Sequence, residues 1–157
     1  MVLDVYCDGS AEWKSRLGGI GVFIIDENGK EYCFSRGYSD TTISRMEGIA
    51  LLTALKSISK TEPVIANVYS DSEYIIKTFT ENRLTKWAMI EWQGVKNVDM
   101  WKAIITEINE HPLLKLNFNH IRGHQDNLSG AHVFGNTIAD MAANYKTKKI
   151  YHSDKEL

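Results

Sequence analysis

With only two cysteines and two prolines among 157 residues, the chain has no disulfide framework to hold it and must rely on a core. No apolar run approaches the length of a membrane span, and no secretory leader opens the sequence. A basic excess is missing too: 18 Lys and Arg stand against 20 Asp and Glu, a formal charge of −2. Holding nucleic acid by bulk charge needs a surplus of cations, so any such contact here has to be local. Repeats, low-complexity tracts and linkers are also missing. One domain over residues 1–146 is therefore expected, with a polar tail at 147–157. The closing Asp154-Lys155-Glu156-Leu157 scrambles an ER-retention signal without matching it. Cys7 and Cys33 both fall in predicted strands, where a thiol acts as a small hydrophobe, and a reduced, cytoplasmic setting is expected.

What the chain does hold is ordinary for a globular protein, 43% hydrophobic and 24% charged, but its apolar residues are sharply patterned. Val5-Tyr6-Cys7-Asp8-Gly9-Ser10 is an apolar run ending in a carboxylate, a glycine and a hydroxyl. Residues 18–25 form a second strand, Asn28-Gly29 is a strong hairpin signal, and residues 31–36 return as a third. From 45 to 58 the period switches: Met46, Ile49, Ala50, Thr53, Ala54 and Ile58 share one helical face. Residues 64–69, after Pro63, make a fourth strand entered from a helix and parallel to the first. Helices are expected at 72–81 and after Asn97, the latter stopped by Pro112, and Leu114, Leu116 and Phe118 alternate with polar residues as a half-exposed strand. A last helix runs from 136 to about 146. Between them, residues 82–96 mix Arg83, Lys86 and Lys96 with Trp87 and Trp92, either a nucleic-acid platform or a helix packed by its tryptophans.

Four acids sit where an acid is costly or pointed. Asp8 ends a buried-looking strand, Glu47 lies inside an apolar helix, Asp71 stands at a strand-to-helix turn, and Asp140 is in an alanine-rich helix. Each has a plain reading alone: an Asp-Gly turn at Asp8, a capping box of Ser44 with Glu47, an N-cap at Asp71. Together they read differently, because strands one and four are expected neighbours and their ends would bring Asp8 beside Asp71. Carboxylates gathered without bases repel one another unless cations neutralise them. All-oxygen donors select Mg²⁺ or Mn²⁺, and two such ions ~4 Å apart serve in-line displacement at phosphorus.

In order and spacing, Asp8-Gly9-Ser10, Arg45-Met46-Glu47, Ser70-Asp71-Ser72, the segment from Val95 to Trp101, Gly123-His124 and Gly135-Asn136 with Asp140 resemble type 1 ribonuclease H. The resemblance spans about residues 1–146. It implies an α/β fold with a mixed five-stranded sheet, order 3-2-1-4-5, and helices on both faces. It implies endonucleolytic cleavage of the RNA strand of RNA/DNA hybrids with two Mg²⁺ ions, Mn²⁺ able to substitute, leaving 5′-phosphate and 3′-hydroxyl ends. By the same resemblance, Asp8, Glu47, Asp71 and Asp140 hold the metals and His124 assists proton transfer or product release. Substrate contacts fall to Ser10, Thr42, Ser44, Arg45, Ser72, Asn97 and Asn136. The partner is a hybrid, with no membrane, and the protein a monomer.

This chain departs from the pattern in places. The loop after Ser10 offers Glu12, Trp13, Lys14 and Arg16 instead of a Gly-Asn-Pro run, Ile43 replaces an asparagine, Glu73 a glutamine and Thr137 a glutamate. Residues 82–96 are shorter and less basic than the substrate-binding protrusion of many relatives, which implies weaker hybrid binding. Alternatives are a nuclease of this fold with other specificity, such as a domain cut from a reverse transcriptase, or a non-catalytic hybrid-binding domain, which would be expected to lack a metal carboxylate. Met1 directly before the first strand and the polar ending favour a free-standing protein. Zinc held by His120, His124 and His132 would lack a cysteine and a fourth ligand.

Overall fold

The computed structural model describes residues 1–122 and 130–157. Strands β1 (Val2–Ala11), β2 (Gly18–Asp26) and β3 (Glu31–Ser39) form the expected meander. Helix α1 (Ile43–Lys56) leads to β4 (Val64–Ser70), followed by α2 (Glu73–Thr80), α3 (Arg83–Met89) and α4 (Val98–Asn109). Strand β5 (Leu114–His120), α5 (Gly130–Ala143), a 3₁₀ turn at Tyr145–Thr147 and β6 (Tyr151–Ser153) complete the chain.

The strands lie in the order β5-β4-β1-β2-β3-β6. The expected order of the first five holds, but the sheet has six strands. Residues 151–153 pair in parallel with Gly37–Ser39 of β3. The segment after residue 147 is therefore not a solvated tail. Asp154, directly after β6, is buried, accepting from Thr41 Oγ1 at 2.5 Å and Arg45 Nε at 2.9 Å.

Alternation along β1 sends its side chains to two cores. Leu3, Val5 and Cys7 join Met46, Ile49, Leu52 of α1 and Met100, Trp101, Ile104 of α4. Tyr6 packs on the other face with Phe23, Ile121 and Ala139 of α5. Burial of this kind contributes roughly 25 cal/mol per Å² of apolar surface removed from water, which is why the chain needs no staples. Trp87 packs against Trp101, ring centroids 5.8 Å apart, and Trp92 lies 6.3 Å from Trp87, so the packing reading holds for both.

Three local expectations change. Asp8-Gly9 is not a turn, since β1 runs through to Ala11 and Asp8 pairs with Gly21. The first helix is capped by Thr42, whose Oγ1 accepts from Arg45 N at 3.3 Å, and not by a Ser44–Glu47 box. Cys7 is buried as expected, but Cys33, on the largely exposed first part of β3, is exposed.

Candidate active site

The parallel register of β1 and β4 pairs Tyr6 with Tyr69. Two residues further on, at the same pleat, Asp8 comes level with Asp71, which follows directly on the end of β4. Gly9 makes room for α1: a Cβ there would fall 2.5 Å from Glu47 N and Met46 C. The close approach brings Glu47 in beside the strand end, and only glycine permits it. On the opposite face, Gly21, the partner of Asp8, lies against the Ala139 carbonyl of α5. Asp140 follows that residue, so α5 delivers the fourth acid to the same strand position.

Asp8 is buried, with 6% of its surface exposed. Burial, then the charge of Asp71, then contact with Asp140 push its carboxyl up to about 9, and the Gly9 amide, donating to Oδ1 at 2.9 Å, only partly offsets them. Asp71 is raised by burial and by Asp140. Glu47 is raised by burial and by Asp71, although Ser72 Oγ donates to its Oε2 at 2.5 Å. Ser72 also caps α2, accepting from Ile75 N, and so ties Glu47 to the helix that follows Asp71. His120 Nε2 donates to the Asp71 carbonyl at 3.2 Å and braces the turn from the edge strand.

Among the described residues, none of these four acids forms an ion pair with a base. No three acidic, His or Cys side chains among them close around a common point either. At the mouth where β1 and β4 end, the acids meet pairwise, Asp8 with Asp71 and Asp140 and Glu47 with Asp71. Donor chemistry fits Mg²⁺ or Mn²⁺: all-oxygen, anionic, mutually repelling and without a cation of the protein's own.

The other expected site residues divide. Ser44 Oγ is within 3.4 Å of Asn97 Nδ2, which also donates to Tyr74 OH at 3.3 Å. With the half-buried Thr42 they form one polar surface beside the N-terminus of α1. Asn97 has φ of +58° and caps α4 without a side-chain hydrogen bond, which leaves its amide facing that surface. Asn136 lies half-buried on α5, one turn before Asp140. Arg45 and Ser10 are corrections. Arg45 is not free for substrate: it is 8% exposed, bidentate to Asp99 at 2.9 Å on both arms, and bonded to Asp154. Ser10 Oγ donates to the Ala143 carbonyl and accepts from Tyr145 N, which anchors the end of α5. His124 lies outside the described residues. His120 and His132 take separate partners, His132 Nδ1 bonding Tyr6 OH at 2.9 Å beneath a Tyr6–Tyr69 stack. The role of Asp154 was hidden in the sequence, because a lone acid in a lysine-bearing ending carries no periodic signal.

A family model described as RNase H matches residues 2–148. A ribonuclease H from Lachnoclostridium phytofermentans is 35% identical over 134 residues, spanning 79% of this chain and 82% of that one. Another from Chlorobium phaeobacteroides is 34% identical over 129 residues, spanning 78% and 84%. Among solved structures, the PFV RNase H domain superposes with a TM-score of 0.72 at 25% identity, covering 90% of this chain and 91% of that one. The RNase H1 of Halobacterium salinarum superposes at 0.64 with 16% identity, covering 92% and 96%, a likeness of fold.

Proposed function

The chain belongs to the ribonuclease H family, and from that premise we propose that it hydrolyses the RNA strand of RNA/DNA hybrids by two-metal-ion catalysis, leaving 5′-phosphate and 3′-hydroxyl ends. The observation that carries this is Asp8: a carboxylate buried in mid-strand, level with Asp71, raised in pKa by its neighbours and without a basic partner among the described residues.

Asp8, Glu47, Asp71 and Asp140 would hold two Mg²⁺ ions, or Mn²⁺ in their place. When bound, such a pair activates water and stabilises the leaving oxygen of an in-line displacement at phosphorus. The protein's own residues prepare that chemistry. Burial keeps bulk water off Asp8, and Ser72 and the Gly9 amide fix the Glu47 and Asp8 oxygens. Mutual repulsion among the acids disfavours the empty, fully ionised mouth, so cation and phosphate are drawn in together. Thr42, Ser44 and Asn97 offer hydroxyls and an amide beside that mouth. Such groups can bond 2′-hydroxyls across a shallow minor groove, while a DNA strand is recognised by lacking them. His124, on the segment before α5, would assist proton transfer or product release.

We extend the proposal to a monomeric protein in a reducing, cytoplasmic setting, which suits the exposed thiol of Cys33; no helix among the described residues is long and apolar enough to cross a membrane. The test is cleavage of one labelled RNA strand presented alone, paired with RNA and paired with DNA, each with Mg²⁺ and with EDTA, alongside duplex DNA. Cutting confined to the hybrid and to Mg²⁺ is expected. Cutting of duplex DNA or duplex RNA in preference would keep the nuclease and overturn the specificity.

A further inference from the structure

Three of the elements that deliver acids also meet one layer deeper, in a cluster of rings. Tyr6 of β1 lies two residues before Asp8, Tyr69 of β4 two before Asp71, and His132 of α5 eight before Asp140. A spacing of two along a strand, and of four taken twice along a helix, keeps each ring on the side of its acid. Tyr6 and Tyr69 stack with centroids 5.0 Å apart at 17°, and the His132 ring lies 4.4 Å from that of Tyr69. One polar bond joins the cluster, Tyr6 OH to His132 Nδ1 at 2.9 Å.

Burial gives that bond its direction. Tyr6 is 2% exposed, and burial, then the charge of Asp4, then Tyr69 raise its phenol. The phenol therefore keeps its proton and donates, while Nδ1 accepts with the imidazole neutral and its proton on Nε2. A buried hydroxyl without an acceptor is costly, so the bond holds His132 in place.

Its place on α5 decides what it controls. The C-terminal end of the helix is fastened by its carbonyls: Ser10 Oγ donates to that of Ala143, and Ser35 Oγ at 2.6 Å and Lys148 Nζ at 2.5 Å donate to that of Ala142. Nearer the N-terminal end, Gly135 lies so close on the Tyr6 ring that a Cβ there would collide with it. Apolar contact is non-directional and leaves slide and roll open. Among the described residues, the bond from His132 to Tyr6 is the only hydrogen bond from the first two turns of α5 to the sheet. Asp140 stands between the two fastenings, ~12 Å along the axis from His132. Held at both ends, the helix keeps one roll, and its carboxylate meets Asp8.

We propose that His132 is a positioning residue: through Tyr6 it sets the roll of α5 on β1, and with it the place of Asp140 beside Asp8 in the metal-holding centre. This rests on the two-metal reading above, which gives Asp140 a cation to hold.

The experiment measures Mn²⁺ binding by calorimetry and melting by circular dichroism, with Mg²⁺-dependent cleavage of the hybrid alongside. Wild type is compared with Tyr6→Phe, which removes only the hydroxyl, with His132→Phe, which keeps a ring without an acceptor, and with the double variant. His132→Asn is the rescue, since its Oδ1 takes the place of Nδ1 while the ring is lost. Tyr6→Phe and His132→Phe should each weaken Mn²⁺ binding ~5-fold, a little less than removing a ligand's own hydrogen-bond partner does. The double variant should lose no more than either alone, because both remove one bond. His132→Asn should bind Mn²⁺ as wild type does although it melts lower, a separation that a purely structural role does not give. Unchanged Mn²⁺ affinity in Tyr6→Phe and His132→Phe, with wild type binding the ion, would overturn the proposal and leave the metal centre standing. So would losses that add in the double variant, or a His132→Asn variant as weak as His132→Phe. Wild type that binds no Mn²⁺ and cuts no hybrid would overturn the metal centre and this proposal with it.

Discussion

At Asp8, burial and the two neighbouring acids push the folded-state pKa up to about 9, against an ordinary carboxylate value of about 4 in the unfolded chain. A group raised in this way contributes stability that is fully present below the unfolded value and is lost as pH rises through the folded one. Metal-free protein should therefore melt at progressively lower temperature from about pH 5 to about pH 8, and Asp8→Asn should be the more stable protein at the upper end, by at least ~1 kcal/mol. Added Mg²⁺ should raise the melting temperature of wild type and barely move the variant. Thermal melts in EDTA and in Mg²⁺ check both; a variant less stable than wild type in EDTA at pH 8 contradicts the assignment. Ser72→Ala removes both an N-cap and the hydroxyl that orients Glu47. It should cost about 1 kcal/mol of stability and raise the Mg²⁺ needed for half-maximal activity by ~10-fold, read from a metal titration of the cleavage rate. These acids were legible in the sequence because Asp8, Glu47 and Asp140 are charged in apolar or alanine-rich stretches and Asp71 stands at a strand-to-helix turn. Arg45 was not: its partners Asp99 and Asp154 are 54 and 109 positions away, and a buried clamp looks the same as a free substrate contact until the fold closes.

Strand β6 is the element the sequence concealed. Tyr151–Ser153 is too short to show a period of two, and its register on β3 depends on where the 3₁₀ turn leaves the chain. What it secures is the start of α1, through Asp154 to Thr41 and Arg45. Burial raises the Asp154 carboxyl, but bonds from Lys155, Thr41 and Arg45 outweigh it and leave the pKa below the ordinary value. The Arg45 bond lowers Asp99 in the same way. Depressed carboxylates contribute stability present above the unfolded value of about 4 and lost as pH falls through the folded one. Asp154→Asn should therefore cost ~3 kcal/mol near neutral pH, since it strips charge from a buried pair, and the cost should shrink in acid below about pH 4. Denaturant unfolding at pH 7 and at pH 3 reads this; equal cost at both would show that packing, not charge, holds the strand. The other elements could be placed from apolar periodicity and from the Asn28-Gly29 hairpin, because local pattern and tertiary burial agree there. At the N-terminus of α1 they disagree: Ser44 and Glu47 match a capping box, but the demand of Ser72 and the acids draws Glu47 away and Thr42 takes the cap.

For the molecule as a whole, a formal charge of −2 leaves no surplus of cations over acids for phosphate. Hybrid affinity should fall only shallowly with salt, with a slope of log Kd against log salt no steeper than about +3. A slope near those of strongly basic nucleic-acid binders would mean that a charged surface has been overlooked. Order of the first five strands and the helices on both faces were what the family resemblance implied, while the neighbouring of strands one and four, and with it Asp8 beside Asp71 and within reach of Glu47, follows from connection rules applied to the sequence. The approach of α5 does not, because it depends on Gly21 accepting the Ala139 carbonyl, a fit visible only in three dimensions. All of this converges on one claim, that four acids drawn from β1, α1, the end of β4 and α5 act as a single metal-holding centre. Its most direct test is the Mg²⁺-dependent cleavage rate of the RNA strand in a hybrid for wild type, Asp8→Asn, Glu47→Gln, Asp71→Asn and Asp140→Asn. The account predicts cutting by wild type and at least ~100-fold loss in each variant, with the fold retained; a variant at Asp8 or Asp71 that cuts at the wild-type rate would contradict it.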